Sequence, residues 1–212
     1  MEPKNIYYEK LASTMVKNLA KRNMEGFYCA TAAEACEKAL SLINSGETVS
    51  FGGSVTLEEC GVLDVLRARE DITLYDRATA KSPEEMDAIY RQAFSVDTFL
   101  MSTNAITLDG ELINIDGRGN RVAALIYGPE QVIIIAGMNK VATDEAAGLM
   151  RARNMAAPPN CIRLNKKTPC SATGRCGDCY GEESICSQIV VTRRSSQKYR
   201  IKVILVGEEL GY

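Results

Sequence analysis

Apolar positions along the chain follow two periods. Ile6, Leu11, Met15, Val16 and Leu19 recur at helical spacing with lysines between them, which predicts an amphipathic helix over residues 5–23. After a short strand over 27–30, Thr31 with Glu34 three residues on opens an alanine-rich helix that Gly46 ends. Residues 48–51 predict a buried strand, and Thr56 with Glu59 starts a helix running to about Arg67. A strand over 72–75 follows. Ser82-Pro83-Glu84-Glu85 combines a cap, a first-turn proline and a third-position acid, and so starts a helix to about Ser95. Strands are predicted over 98–102 and, beyond the Asp109-Gly110 turn, over 111–115. Asn120 then caps a short helix through Tyr127. Residues 132–136 form the most hydrophobic strand, which places it centrally. A helix over 143–155 is expected to stop at Pro158-Pro159, and strands over 188–192 and 200–206 come last.

Strands alternate with helices at βα spacing as far as residue 157. This predicts an α/β fold with a largely parallel sheet flanked by helices on both faces. No internal repeat or long linker divides the 212 residues, so one domain over 1–212 is expected, with residues 161–187 a cysteine-rich segment inside it.

Composition narrows the chemistry. The formal net charge of −2 offers no global positive field for nucleic acid or an anionic membrane. The one dense basic run, Arg193, Arg194, Lys198, Arg200 and Lys202, reads as a solvated sheet edge. No stretch approaches the ~20 apolar residues of a membrane span, and Met1-Glu2-Pro3-Lys4 has no apolar signal core, so a cytoplasmic location without a disulfide framework is expected. Histidine is absent, which excludes Ser-His and Cys-His nucleophilic pairs and mixed Cys/His zinc fingers.

Two segments carry candidate chemistry. Phe51-Gly52-Gly53-Ser54-Val55-Thr56 lies between a strand and a helix start, where backbone N–H groups and the hydroxyls of Ser54 and Thr56 suit an anion. A tight turn capped by Thr56 is the competing reading. Ligands of open α/β sheets sit beyond the carboxyl ends of strands. On that rule Gly52, Gly53, Ser54 and Thr56 share a cleft with Thr103, Asn104, Gly117, Asn120 and Lys140. Glu58, Glu59, Asp116 and Lys140 are its ionisable candidates for catalysis, and a small anionic metabolite is the expected partner.

The second segment is Cys170-x5-Cys176-x2-Cys179-x6-Cys186, with Cys161 nine residues upstream. Glycines 174, 177 and 181 permit the tight turns of a metal knuckle. Four thiolates suit an iron–sulfur cluster or zinc, and the alternative is free thiols or a redox-active Cys176/Cys179 pair. Cys29, Cys36 and Cys60 stand in apolar contexts and are expected to be small core residues.

Several motifs, in order, resemble the LUD, or lactate-utilisation, proteins. They are Phe51-Gly52-Gly53-Ser54-x-Thr56-Leu57, Ser102-Thr103-Asn104-Ala105-Ile106-Thr107-x-Asp109-Gly110, Leu112-x-Asn114-x-Asp116-Gly117-x-Gly119-Asn120-Arg121-Val122, and Asn139-Lys140 after the apolar strand. The likeness extends to a branch with a cysteine-rich segment and a Gly-Glu-x-Leu-Gly-Tyr tail, as at residues 207–212. The resemblance implies a fold akin to sugar-phosphate isomerases and CoA transferases. It also implies a link to oxidation of lactate or a related small acid beside iron–sulfur redox subunits. Self-association is a further expectation. An isomerase- or transferase-like enzyme with structural cysteines is the alternative.

Overall fold

The computed structural model describes residues 2–212. Its strands are β1 (Glu25–Cys29), β2 (Thr48–Phe51), β3 (Thr73–Tyr75), β4 (Thr98–Met101), β5 (Ala105–Thr107), β6 (Leu112–Asp116), β7 (Gln131–Gly137), β8 (Val141–Ala142), β9 (Gln188–Thr192) and β10 (Ile201–Val206). Six of them form one sheet in the order β1-β10-β7-β4-β2-β3, with every pairing parallel. Strand β7 is interior, as its apolar run requires: a strand covered on both faces has no side to leave polar.

Helices cover both faces, and the side chains alternate between them. On one face Met15 and Leu19 of α1 (Pro3–Lys21) pack with Phe99, Val132, Ile134 and Val203. On the other, Ala35, Cys36 and Ala39 of α2 (Ala32–Ser41) pack with Leu100, Ile133, Ile135 and Ile204. Cys29 and Cys60 join this second cluster, so the three scattered cysteines are core residues.

Residues 56–67 do not form one helix. Gly61, at φ +77°, takes the left-handed conformation and divides it into α3 (Val55–Glu59) and α4 (Val62–Ala68). The cap is Ser54, which accepts the Leu57 N–H at 3.3 Å, and this frees Thr56 to turn inward. Helix α5 (Pro83–Gln92) begins as expected, with Ser82 accepting the Glu85 N–H. Helix α6 (Asn120–Ile126) is capped by Gly119 at φ +88°, not by Asn120, which is its first residue.

The expected stop at Pro158-Pro159 does not occur. Helix α7 (Glu145–Arg151) passes through a π-helical turn (Ala152–Ala156) into α8 (Ala157–Arg163). Both prolines then sit in a first turn, where the missing N–H removes no helical bond. A short α9 (Pro169–Thr173) follows.

A second, four-stranded sheet was not anticipated. Its order is β8-β5-β6-β9, and β9 pairs antiparallel with β6. The two last strands therefore enter different sheets. Arg193, Arg194 and Lys198 of the basic run are solvated, the first two just beyond the edge strand β9, but β10 lies between β1 and β7, so Arg200 and Lys202 are not on an edge. Arg200 is buried and donates to Pro129 O, Leu125 O and Ala124 O, closing the carboxyl end of α6. Among the described residues, no helix is long and apolar enough to cross a membrane.

Candidate functional site: a cationic cleft

Strands β2, β3, β4 and β7 run parallel, so the loops after them emerge at one edge of the sheet. They enclose a cavity of about 560 Å³, within the usual range for small-molecule sites. Gly53, Ser54 and Thr56 reach it from the loop after β2, Thr103 and Asn104 from the loop after β4, and Lys140 from the 3-10 turn (Met138–Lys140) after β7. Asp116, Gly117 and Asn120 line it from the end of β6 and the start of α6. The structure thus brings these residues together. Gly52, Glu58 and Glu59 are not part of the lining. Glu58 is exposed, and Glu59 holds the chain's tail by accepting the Gly211 N–H at 2.6 Å.

Asp116, the acid that the strand ends bring into the cleft, is committed. Asp116 pairs with Arg121 at 3.2 Å and accepts the Gly119 N–H at 2.8 Å. Arg121 also donates to Ser102 O, to Asn114 Oδ1 and to Ile115 O, at 3.1, 2.6 and 2.8 Å. It therefore ties the loop after β4 to the end of β6. Asn104 Oδ1 closes the same junction by accepting the Ile115 N–H. Arg151 bonds to Asn104 O and Asn139 O from α7.

Lys140 lies on the cleft floor, only 3% exposed. Its Nζ donates to Thr56 Oγ1 at 2.6 Å and Ser102 Oγ at 3.0 Å. Burial pulls its pKa down from 10.5 to about 7, and the charges of Arg151 and Arg121 push the same way, against a smaller opposing pull from Glu59.

The glycine loop works differently from a phosphate cradle. A Cβ on Gly52 would stand 2.9 Å from Arg121 Cδ, and one on Gly53 would stand 2.4 Å from Arg77 Nη2. The two glycines clear space for two arginines. Helix α3 has only five residues, and Ser54 caps it by accepting the Leu57 N–H, so the cleft's positive character is assigned to side chains. Arg77, Lys140, Arg163 and Lys166 all line the cavity without an ion pair among the described residues. Glu182 and Glu183 also belong to the lining, and Glu183 accepts the Lys167 N–H beside Lys166.

A family model described as the LUD domain matches residues 12–206. The chain belongs to the LUD domain family. This LUD domain is similar to a solved duf162 family protein from Deinococcus radiodurans, at 13% identity, over 94% of this chain and 98% of that one, with a TM-score of 0.53. Weaker likenesses are to ribose 5-phosphate isomerase from Plasmodium falciparum (18% identity, 53% and 52% of the two chains, TM-score 0.35) and to the tetrameric eIF2B-beta2-delta2 complex from C. thermophilum (12%, 96% and 60%, TM-score 0.42). No curated protein matches.

The cysteine segment of this LUD domain forms a wall of the cleft through residues 182–185 and 187. Cys170 is buried in α9, and Cys176, Cys179 and Cys186 are half-buried. Burial pushes the Cys186 thiol up to about 11, and thiolate charge on Cys161, Cys176, Cys170 and Cys179 adds to the rise. Cys161, from α8, is raised by burial and by Cys170 and Cys179. Cys186 therefore feels the charge of the other four thiols of the segment, Cys161 included. Among the described residues, no group of three or more Cys, Asp or Glu side chains is positioned to hold a metal ion.

Sequence reasoning missed Arg77, Arg163 and Lys166 as cleft residues. Arg77 had a signal: it follows β3 as Gly53 follows β2, so the strand-end rule that gathered the others applies to it. Arg163 and Lys166 had none, because prolines 158 and 159 seemed to end the helix that carries them to the cleft.

Proposed function

We propose that this LUD domain binds a small carboxylated or phosphorylated metabolite in the cleft. The observation that carries the reading is the set of unpaired cations, above all Arg77, packed against the Gly53 backbone, with Arg163 and Lys166 also in the lining. A guanidinium presents paired donors to a carboxylate or phosphate. Isomerase- or transferase-like chemistry on such a metabolite fits a cleft at the carboxyl ends of a parallel sheet. Lactate, or the 2-oxo acid related to it, is the first member of the class to test, given the family.

Thermal-shift and calorimetric titration with lactate, pyruvate, ribose 5-phosphate and CoA esters checks this. Arg77→Ala is expected to weaken the best ligand about tenfold, the loss of roughly 1.4 kcal/mol from one charge-assisted contact. Gly53→Asp places a carboxylate against Arg77 and is expected to abolish the response. An unchanged response in Gly53→Asp refutes the cleft assignment.

The spacing Cys170-x5-Cys176-x2-Cys179-x6-Cys186, and not the side-chain positions, supports a second reading, in which the segment closes around an iron–sulfur cluster or zinc. The donors are all thiolate, which suits either. Cys170, Cys176, Cys179 and Cys186 would hold the group, with Cys161 as a further donor. A cluster would accept electrons one at a time from a redox subunit that oxidises a small acid and pass them on, and zinc would staple the cleft wall. Anaerobic purification is expected to yield stoichiometric iron with sulfide, or zinc, lost on Cys176→Ser. A colourless, metal-free protein sinks this reading and leaves the anion cleft standing.

A further inference from the structure

The hydrogen bonds around Lys140 fix which of its valences is free. Nζ contacts two hydroxyls, Thr56 Oγ1 and Ser102 Oγ. Each hydroxyl has its own hydrogen directed elsewhere. Thr56 donates to Leu210 O at 3.3 Å, and Ser102 donates to Thr103 O at 3.4 Å. Both oxygens therefore face the amine as acceptors, and two N–H bonds of Lys140 are used. Among the described residues the third position has no acceptor, and the residue lines the cavity. In the ammonium form that position is an N–H. In the neutral form it is the lone pair.

The surroundings favour the neutral form. No carboxylate hydrogen-bonds to the amine, and Arg121 and Arg151 place like charge nearby. The tail leaves room beside the nitrogen. Gly211 has φ +59°, and a Cβ there would stand 3.4 Å from Nζ and 2.4 Å from Thr56 Oγ1. The tail backbone is held in place by Asn139, which bonds to Leu210 N and Gly211 O at 3.2 Å each. A desolvated amine with two fixed donors and an open third valence is the arrangement of an activated amine nucleophile.

We infer that Lys140 forms an imine with the carbonyl carbon of a small anionic oxo compound, a 2-oxo acid or a phosphorylated aldehyde, bound in the cleft. This rests on the anion-binding reading and adds the reacting group. The Nζ lone pair adds to the carbonyl carbon as the C=O π pair moves to oxygen. The nitrogen loses a proton and the oxygen gains one, giving a carbinolamine. The nitrogen pair then expels the hydroxyl, which leaves as water with a second proton, and the nitrogen gives up its remaining proton to restore that one. Amine and carbonyl give imine and water, with no change of oxidation state. Arg77 and the other unpaired cations hold the carboxylate or phosphate.

Borohydride trapping tests it on the full chain, with pyruvate and glyceraldehyde 3-phosphate as probes and lactate as the analogue without a carbonyl. Intact mass and peptide mapping are expected to show one reduced adduct per chain, on the Lys140 peptide, absent without probe and absent in Lys140→Met. The probe that reacts identifies the oxo acid or the aldehyde phosphate. Labelling spread over surface lysines with Lys140 unmodified overturns the inference. So does stabilisation by pyruvate and lactate alike with no adduct, which leaves the anion cleft intact. If no probe stabilises the protein and none is trapped, the cleft reading falls too.

Discussion

Replacing Arg121 with methionine is expected to destabilise the protein by about 3–5 kcal/mol, the usual result of removing one partner from a buried ion pair. Asp116 is 9% exposed and would keep its charge with only the Gly119 N–H to answer it. Ser102 O, Asn114 Oδ1 and Ile115 O would lose their donor as well. For a chain of this size the loss corresponds to a fall in Tm of roughly 10 °C. Calorimetry and urea unfolding measure it. Adding Asp116→Asn should recover part of the loss, since a neutral amide tolerates burial better than an orphaned carboxylate. A single-variant change below about 1 kcal/mol would mean that water enters the junction and replaces the guanidinium.

The same residue shows where sequence reading ends. Arg121 sits in a motif that resembles the family, yet nothing in its neighbours says that its side chain crosses to β4. Apolar runs are different. Residues 132–136 declare an interior strand because no polar side exists to face water, and the structure places β7 there. Ser82-Pro83 declares a helix start by local hydrogen bonding, and α5 begins there. Strand β5 was missed because three residues carry too little period to register. Pro158-Pro159 misled because a π turn upstream makes both prolines first-turn residues, which no local rule anticipates. The position of β10 between β1 and β7 is a matter of long-range pairing, and its charged start looks like an edge until Arg200 is seen bonded to α6. The cleft was legible because it follows from topology: loops after parallel strands meet at one edge. Its cations were less so, because a buried arginine and a solvated one read alike in sequence.

Lys140 is expected to give the opposite result to Arg121. Its neighbours are hydroxyls and arginines, with no carboxylate bonded to it, so its burial destabilises the native state wherever the amine is charged. The folded pKa of about 7 lies below the ordinary 10.5, so between those values the unfolded chain binds a proton that the native chain does not. The stability of the wild type should therefore rise with pH across that window and be flat with respect to this group below it. Each pH unit is worth about 1.4 kcal/mol, so the full span approaches about 5 kcal/mol. Lys140→Met removes the term and leaves two hydroxyls without a donor, at about 1 kcal/mol each. The variant should then be more stable than the wild type by about 2–3 kcal/mol at pH 7 and lose that advantage by pH 10. Urea unfolding at several pH values measures both curves. A variant less stable at pH 7, with a gap that does not change with pH, would show that the wild-type amine is solvated. If the expected curves are found, the site carries a stability penalty of the kind that functional sites retain, and the variant that folds best should be the one that traps no oxo acid.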